Sequence, residues 1–194
     1  MKQILSILIA LLATTNVVAQ FQRVEVEQVD NGGAVAGRTF RIYIVLANDS
    51  DQVHMIYGEP THPMDIKSTK PFFQSSLGGA TSKQIGRKIA KEKADVRYDS
   101  YVTIGAEDNY DNNTETLLDT EQFEKGGAIS TSDGAWYCLP GSKLGYAGID
   151  KKILIMQLTT EGDVSGTFNV MGRDQTGAVF QKYNVTFDTK SKKK

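Results

Sequence analysis

The chain has 194 residues, of which 40% are hydrophobic and 23% charged, with a formal net charge of −1. Setting aside Lys2 and the four lysines at 190 and 192–194 leaves 17 basic residues against 23 acidic ones. An acidic body argues against general nucleic-acid binding, which depends on a basic surface. The only cysteine, Cys138, excludes an internal disulfide. Because it lies in a strand-like run without a neighbouring histidine, we expect a buried, unreactive thiol.

The N-terminus has the order of a secretory signal. Lys2 precedes the apolar run 4–13, polar residues follow, and Ala19 provides a small side chain at the expected cleavage point. The apolar run is about half of the roughly 20 residues that a membrane-spanning helix needs, so cleavage is favoured over an uncleaved anchor. The sequence therefore predicts a signal peptide at 1–19, a secreted protein with a single domain at 20–189, and a disordered lysine-rich tail at 190–194.

The residue pattern in the first part of the domain is typical of β-strands. Val24 and Val26 alternate with charged residues, which predicts a half-buried strand. The segment 38–47 is rich in β-branched and aromatic residues and predicts a more central strand, and 53–57 predicts a short one. Three prolines then predict irregular structure: Pro60, Pro63 and Pro71.

The middle of the chain mixes helix and strand signals. The segment 81–93 predicts a short surface helix with Ile85 and Ile89 on one face; its lysines and arginine form either a solvated face or a surface for anionic glycans. The segment 96–104 predicts a strand. The segment 115–125 predicts one or two helical turns, ended by Gly126 and the glycine that follows it.

The last third predicts a series of antiparallel strands. Asp133-Gly134 between two short apolar segments predicts a tight hairpin. Strands at 152–160, 164–171 and 178–189 predict a three-stranded meander, and the first of them is apolar on both faces, as in an interior strand. Eight to ten strands with one or two small helices predict a mainly β fold of two packed antiparallel sheets, a β-sandwich, of which the jelly roll is one form.

An acidic segment offers oxygen ligands at nearly alternate positions. Residues 105–125 contain seven acidic side chains and one basic side chain. Hard cations such as calcium take six to eight oxygens from loops of this kind, although Thr114 and Thr120 stand where an EF-hand loop has glycine and glutamate. The sequence predicts either a solvated acidic loop or a Ca²⁺ site with the ligands Asp108, Asn109, Asp111, Asn113 and Glu115.

The catalytic signals are incomplete. His54 lies in a strand-like run, where we expect it to be paired or partly buried, and His62 with Asp65 forms at most part of an acid/base pair. No nucleophile elbow and no zinc-binding spacing accompany them. Carboxylate pairs for glycoside hydrolysis need no local motif, so a secreted polysaccharide hydrolase is the alternative function.

Aromatic residues in loops offer a binding platform. Tyr110 lies in the acidic segment and Tyr146 in a glycine-rich one, so we expect both rings to be exposed and able to stack on a sugar or a protein. Three Asn-x-Ser/Thr sequons occur, at Asn48, Asn112 and Asn184, and the last of them lies in a predicted strand.

Residues 98–105 read Tyr-Asp-Ser-Tyr-Val-Thr-Ile-Gly. This stretch resembles the Tyr-Asp-Ser-aromatic-Val-Thr-Ile-Gly signature of an uncharacterised secreted module of exported proteins in marine bacteria and algae. Further segments fit the same pattern, so the resemblance covers most of 38–180: 53–64, 71–81, 123–127 and 153–166. The resemblance implies an extracellular module and brings no catalytic residue. A strand-embedded Asp99 is expected to be hydrogen-bonded, with a structural role in anchoring a neighbouring loop.

The combined signals predict a secreted, non-catalytic module for extracellular binding or structure, as in adhesion, matrix or surface assembly. The expected partner is an extracellular glycan or protein, without nucleic acid and without a membrane span. Self-association through exposed strand edges is compatible with this interpretation.

Overall fold

The computed structural model describes residues 20–190. The predicted signal peptide, 1–19, and residues 191–194 of the predicted tail lie outside the described residues. The described part contains eleven β-strands, three short α-helices and two 3-10 turns. None of its helices has both the length and the apolar character needed to cross a membrane.

The first sheet has four antiparallel strands in the order β1-β2-β9-β5. Their bounds are Phe21–Val29 for β1, Arg38–Leu46 for β2, Lys152–Thr160 for β9 and Tyr101–Val102 for β5. Side chains alternate across β2: Phe40, Ile42 and Ile44 are buried, whereas Arg41 and Tyr43 are only partly covered. The sheet therefore has an apolar inner face and a polar outer face.

The second sheet has seven strands in the order β6-β8-β3-β10-β4-β7, with β11 along the other side of β10. Their bounds are Gln52–Gly58 for β3, Met64–Ser68 for β4, Glu115–Thr116 for β6, Ile129–Thr131 for β7, Gly134–Tyr137 for β8, Val164–Arg173 for β10 and Val179–Asp188 for β11. Strands β3 and β4 lie end to end along β10, because each pairs with a different half of it.

One hydrophobic core joins the two sheets. It combines Ile42 and Ile155 of the first sheet with Ile56, Trp136 and Phe168 of the second, all fully buried. At about 25 cal/mol per Å² of apolar surface removed from water, burial of this kind is the main stabilising contribution. The predicted two-sheet antiparallel fold is confirmed.

The predicted hairpin at Asp133-Gly134 is wrong. Strands β7 and β8 flank this dipeptide, but they do not pair with each other: β7 pairs with β4 and β8 pairs with β3. The pairing is interrupted between β3 and β4, at 59–63, and between β7 and β8, at 132–133. The two interruptions lie opposite each other, between the Met64–Thr131 pair and the Gly58–Gly134 pair. The Asp-Gly turn signal therefore marks the interruption between β7 and β8 and not a hairpin.

The predicted three-stranded meander is also wrong in one of its connections. Strands β10 and β11 form the expected hairpin, which turns at Gly177 with a positive φ of 85°. Strand β9, however, pairs with β2 and β5, so residues 161–163 cross from the first sheet to the second. As predicted, β9 is interior, and it is buried from Ile153 to Thr160.

The helical segment is shorter than the sequence predicts. A 3-10 turn at Ser82–Gln84 precedes α1 at Arg87–Glu92 and α2 at Ala94–Arg97, because the chain breaks its helical course at Gly86. Ile85 is buried, whereas Ile89 is 40% exposed. The strand predicted at 96–104 is reduced to β5. Helix α3 at Glu121–Glu124 ends as predicted, at Gly126, which has a φ of 82°.

Asp99 anchors a loop, as predicted, although it lies outside β5. Its Oδ1 accepts hydrogen bonds from the backbone N–H of Ser75 at 2.7 Å and of Ser100 at 2.9 Å, and its Oδ2 accepts one from Gly79 at 2.9 Å. Burial raises the pKa of Asp99 to about 6, although the three N–H donors oppose this effect. Its Oδ2 occupies the space that a side chain at Gly78 would need.

Other hydrogen bonds connect the segments 71–81, 98–105, 123–127 and 153–166. Ser100 Oγ accepts from the backbone N–H of Thr159 at 2.9 Å. The Glu124 carboxylate accepts from the backbone N–H of Ala80 at 3.1 Å, and Gln74 Nε2 donates to the Phe123 carbonyl at 3.0 Å. Buried polar groups need such partners, so these segments hold the fold together.

Candidate functional site

The outer face of the first sheet is partly covered by α1 and α2. A small second cluster of apolar side chains fixes this cover: Ile85, Val96 and Tyr101 are buried together, with Ala90 packed against them. The remaining outer face is lined by polar and aromatic side chains of β2 and by the loop that follows β5. Two depressions lie on this face, and another adjoins one of them between α1 and the loop after β5.

The first depression, the cationic pocket, has a volume of about 210 Å³ and is lined by the charged residues Arg41, Arg87, Lys91, Arg97, Glu107 and Asp108. Arg41 donates to both oxygens of Glu107, at 3.0 and 2.7 Å, and from Nε to Gln157 at 3.1 Å. Arg87 pairs with Asp108 at 2.8 Å. Two fixed ion pairs therefore form part of its wall.

Arg97 and Lys91 supply further positive charge to the cationic pocket. The Arg97 guanidinium donates to the carbonyl oxygens of Ala90 and Lys91, at 3.0 and 2.9 Å, close to the C-terminal end of α1. This position is favourable for a cation because the carbonyl groups there carry partial negative charge. Within the described part of the chain, neither side chain forms an ion pair with a carboxylate.

The second depression, the Tyr110 groove, has a volume of about 540 Å³ and adjoins the cationic pocket at Arg87. The Tyr110 ring is 65% exposed, and the Arg87 guanidinium lies over it, 4.1 Å from its centroid. The backbone N–H of Tyr110 donates to Asp108 Oδ1 at 2.9 Å, and Asp108 also holds Arg87. The ring is thus exposed yet fixed in position.

The third depression, the Tyr146 groove, has a volume of about 390 Å³ and adjoins the cationic pocket at Glu107. Tyr146 is 41% exposed. Lys152 lies over the Tyr43 ring, 4.5 Å from its centroid, and pairs with Glu25 at 3.1 Å. The predicted exposure of Tyr110 and Tyr146 is confirmed.

The three depressions form a series connected by shared wall residues: Arg87 lines both the cationic pocket and the Tyr110 groove, and Glu107 lines both the cationic pocket and the Tyr146 groove. We refer to this series as the long cleft. Sequence analysis selected the two tyrosines but missed Arg41, Glu107 and Arg97. These residues come from separate segments and carry no local signal, so only the fold brings them together.

Several of the predicted calcium ligands have partners within the protein. Asp108 pairs with Arg87, and Glu115 in β6 pairs with Lys83. Asn109 Oδ1 accepts from the backbone N–H of Arg87 at 3.2 Å, and Asn113 Oδ1 accepts from Ser142 Oγ at 3.0 Å. Asp111 has a positive φ of 48°. Within residues 20–190, no three His, Cys, Asp or Glu side chains are grouped for a metal. Calcium binding remains a prediction.

The partner predicted for His62 is wrong. His62 Nδ1 hydrogen-bonds to Glu59 at 2.8 Å, whereas Asp65 pairs with Lys67 at 2.6 Å. The hydrogen bond from His62 lowers the pKa of Glu59. The His62 ring stacks on Tyr183, with 4.4 Å between the ring centroids, and both lie on the second sheet, outside the long cleft.

The remaining candidate residues are the cysteine, the other histidine and the three sequon asparagines. Cys138 is 2% exposed, so the predicted burial is confirmed, and burial raises the pKa of its thiol to about 11. His54 is 7% exposed and hydrogen-bonds to Gln52 at 2.7 Å. Among the sequons, the amide nitrogens of Asn48 and Asn112 donate hydrogen bonds within the protein, whereas Asn184 is exposed at a strand irregularity.

The fold and its surface define a two-sheet antiparallel β-protein with an open cleft of charged and aromatic side chains. Comparisons with protein-family models, with curated proteins and with solved structures found no match for this chain.

Proposed function

We propose that this chain is a secreted, non-catalytic module that binds an extracellular glycan along the long cleft. The observation that carries the proposal is the placement of the two exposed tyrosines, Tyr110 and Tyr146, in grooves that each share a wall residue with one polar pocket. An exposed aromatic ring beside polar groups suits the stacking of a sugar ring.

The fixed position of Tyr110 supports the proposal. Arg87 lies over one side of the ring, and Asp108 holds both Arg87 and the backbone of Tyr110. A ring that is ordered before the ligand arrives loses less conformational freedom on binding, which favours affinity. An open cleft, rather than an enclosed cavity, accommodates a chain of sugars.

The ion pairs in the cleft favour binding over catalysis. Glu107 accepts two hydrogen bonds from Arg41, and Asp108 accepts one from Arg87. Charge-assisted hydrogen bonds of this kind occupy carboxylate oxygens that would otherwise be free to contact a substrate. These two carboxylates are therefore better suited to positioning the arginines than to proton transfer.

The test is a glycan array probed with the purified protein, once with calcium and once with a chelator. We expect binding to at least one class of extended glycan. Tyr110→Ala and Tyr146→Ala should each weaken it by about fivefold, the contribution of one aromatic contact. Tyr183→Ala is the matched control, because Tyr183 is 38% exposed but lies on the second sheet.

Each result of this test has a definite meaning. Loss of binding in the Tyr110 and Tyr146 variants, with Tyr183→Ala unchanged, supports the long cleft. No binding to any glycan contradicts the proposal. Binding that disappears with the chelator supports the predicted calcium site at 108–115, and release of shorter sugars from a bound polysaccharide supports the alternative hydrolase.

A further inference from the structure

We infer that the ligand of the long cleft is an acidic polysaccharide, bearing carboxylate or sulfate groups, and that the cationic pocket receives one of these groups. This inference rests on the proposed function and specifies its ligand class. It starts from the contrast between the charge of the cleft and that of the rest of the chain.

Within the described part of the chain, the cleft has an excess of cations after its ion pairs are set aside. Arg41 and Arg87 are balanced by Glu107 and Asp108. Lys152 together with Arg23 is balanced by Glu25 and Glu27. The cations of the cleft without such a partner are Lys88, Lys91, Arg97 and Lys143, and the corresponding carboxylates are Asp111 and Asp150. Two positive charges remain uncompensated.

This excess stands out against an acidic molecule. Residues 20–189 contain 17 basic and 23 acidic side chains, so the cleft is positive while the domain that carries it is negative. A local field of this sign attracts an anionic ligand, and the negative remainder repels it from the other faces. The charge distribution therefore directs an anion to the long cleft.

The arginines of the cationic pocket are held in position before a ligand binds. Two hydrogen bonds to carbonyl oxygens fix Arg97, and Glu107 and Gln157 fix Arg41. The buried ring of Tyr101 lies against the same pocket. A guanidinium with free N–H groups binds carboxylate and sulfate oxygens well, and the flexible Lys91 at the rim adds a further charge.

The tyrosines and the cations have separate roles in this arrangement. Tyr110 and Tyr146 stack on sugar rings whether or not the sugar is charged, and they provide affinity for a glycan in general. Lys88 and Lys91 on α1 act mainly on the charge of the ligand. A neutral glycan should therefore depend chiefly on the tyrosines.

The test compares binding of the purified protein to three polysaccharides by affinity electrophoresis: alginate, which carries carboxylates, carrageenan, which carries sulfates, and neutral laminarin. We expect alginate, carrageenan or both to bind at least about tenfold more tightly than laminarin, with affinity decreasing as salt increases. Tighter binding of one of the two charged polymers identifies the acidic group.

The variant that isolates the charge is Lys88→Ala combined with Lys91→Ala. It should weaken binding to the acidic polymer by about fivefold, as expected for two exposed charges, and weaken binding to laminarin by a clearly smaller factor. Lys182→Ala is the control, because Lys182 is exposed on β11 of the second sheet. Tyr110→Ala should weaken binding to both kinds of polymer.

The possible failures are distinguishable. Laminarin binding as tight as alginate binding, lost in Tyr110→Ala but not in the lysine variant, overturns this inference and leaves the proposed function standing. Absence of binding to all three polymers overturns this inference, and the proposed function is contradicted as well only if the glycan array also shows no binding. A DNA duplex that binds as tightly as the acidic polysaccharide also overturns the inference, because it shows attraction to any polyanion.

Discussion

Asp99 is a single carboxylate whose burial makes the stability of the protein depend on pH. Burial raises its pKa from 3.8 to about 6, so the folded protein binds this proton more tightly than the unfolded chain does. The resulting contribution to the free energy of unfolding is fully present below about pH 4 and is lost as the pH rises through about 6. Its upper limit is about 3 kcal/mol.

The variant Asp99→Asn tests this pH dependence, because an amide does not titrate. We expect the free energy of unfolding of the original protein, minus that of the variant, to decrease by up to about 3 kcal/mol between pH 4 and pH 7. Urea denaturation at several pH values measures it. The difference cancels carboxylates such as Glu59, whose lowered pKa acts in the opposite direction. Parallel pH profiles would contradict the expectation.

Gly78 is required because the Asp99 carboxylate lies very close to it, and not because of its backbone angles. A Cβ at this position would overlap Oδ2 of Asp99, which is fixed by its hydrogen bond from Gly79. We expect Gly78→Ala to reduce the free energy of unfolding by about 1–3 kcal/mol, as overpacking does. Gly86→Ala is the control: the nearest atom to its Cβ is in Ile89, at 3.4 Å, so it should cost less than about 1 kcal/mol. Equal effects of the two changes would argue against the close approach.

At the scale of elements, Asn169 of β10 spans the break between β3 and β4. Its Nδ2 donates to the carbonyl oxygens of Tyr57 and His62, at 3.0 and 2.7 Å, and its Oδ1 accepts from the backbone N–H of Asn184 at 3.0 Å. One buried side chain thus satisfies three backbone groups where two strands become irregular.

The variant Asn169→Ala removes this partner from all three backbone groups, although the His62 carbonyl still accepts from the backbone N–H of Glu59 at 3.1 Å. We expect the free energy of unfolding to fall by about 3 kcal/mol, because buried unsatisfied groups are costly. Lys182→Ala, an exposed change in the adjacent β11, should stay within about 0.5 kcal/mol. Chemical denaturation measures both. A loss below 1 kcal/mol for Asn169→Ala would mean that water replaces the amide.

The strands show where sequence reasoning succeeds and where it stops. The β-branched and aromatic composition of β2 and the apolar character of both faces of β9 were sufficient to predict that these strands lie inside their sheet, because these features act residue by residue along one strand. The hairpin at Asp133-Gly134 and the meander after β9 were wrong, because a turn signal is local, whereas the partner of a strand is chosen by distant segments. Asp99 likewise finds its donors in a separate loop.

For the whole molecule, one core shared by both sheets predicts cooperative unfolding. Trp136 is the only tryptophan of the chain, is fully buried in this core, and donates from its indole N–H to the Thr103 carbonyl at 3.0 Å. We expect the denaturation curves from tryptophan fluorescence and from far-UV circular dichroism to coincide, as in a two-state transition. Two separate midpoints would show that the sheets unfold independently.

The long cleft was predictable only in part, for a reason that belongs to the whole molecule. The exposure of Tyr110 and Tyr146 followed from their polar and glycine-rich surroundings. The acidic segment that suggested calcium instead uses Asp108 and Glu115 to pair with Arg87 and Lys83. Because these cations come from the preceding helical segment, the sequence around the carboxylates does not reveal that their charge is balanced.

The contact between Gly78 and Asp99 has a consequence for the divergence of related chains. Since the carboxylate occupies the space of the missing side chain, the glycine cannot gain a side chain while the aspartate is kept. Relatives that have lost the aspartate should tolerate alanine or serine at the glycine position, and relatives that keep it should retain glycine. These two columns should therefore covary.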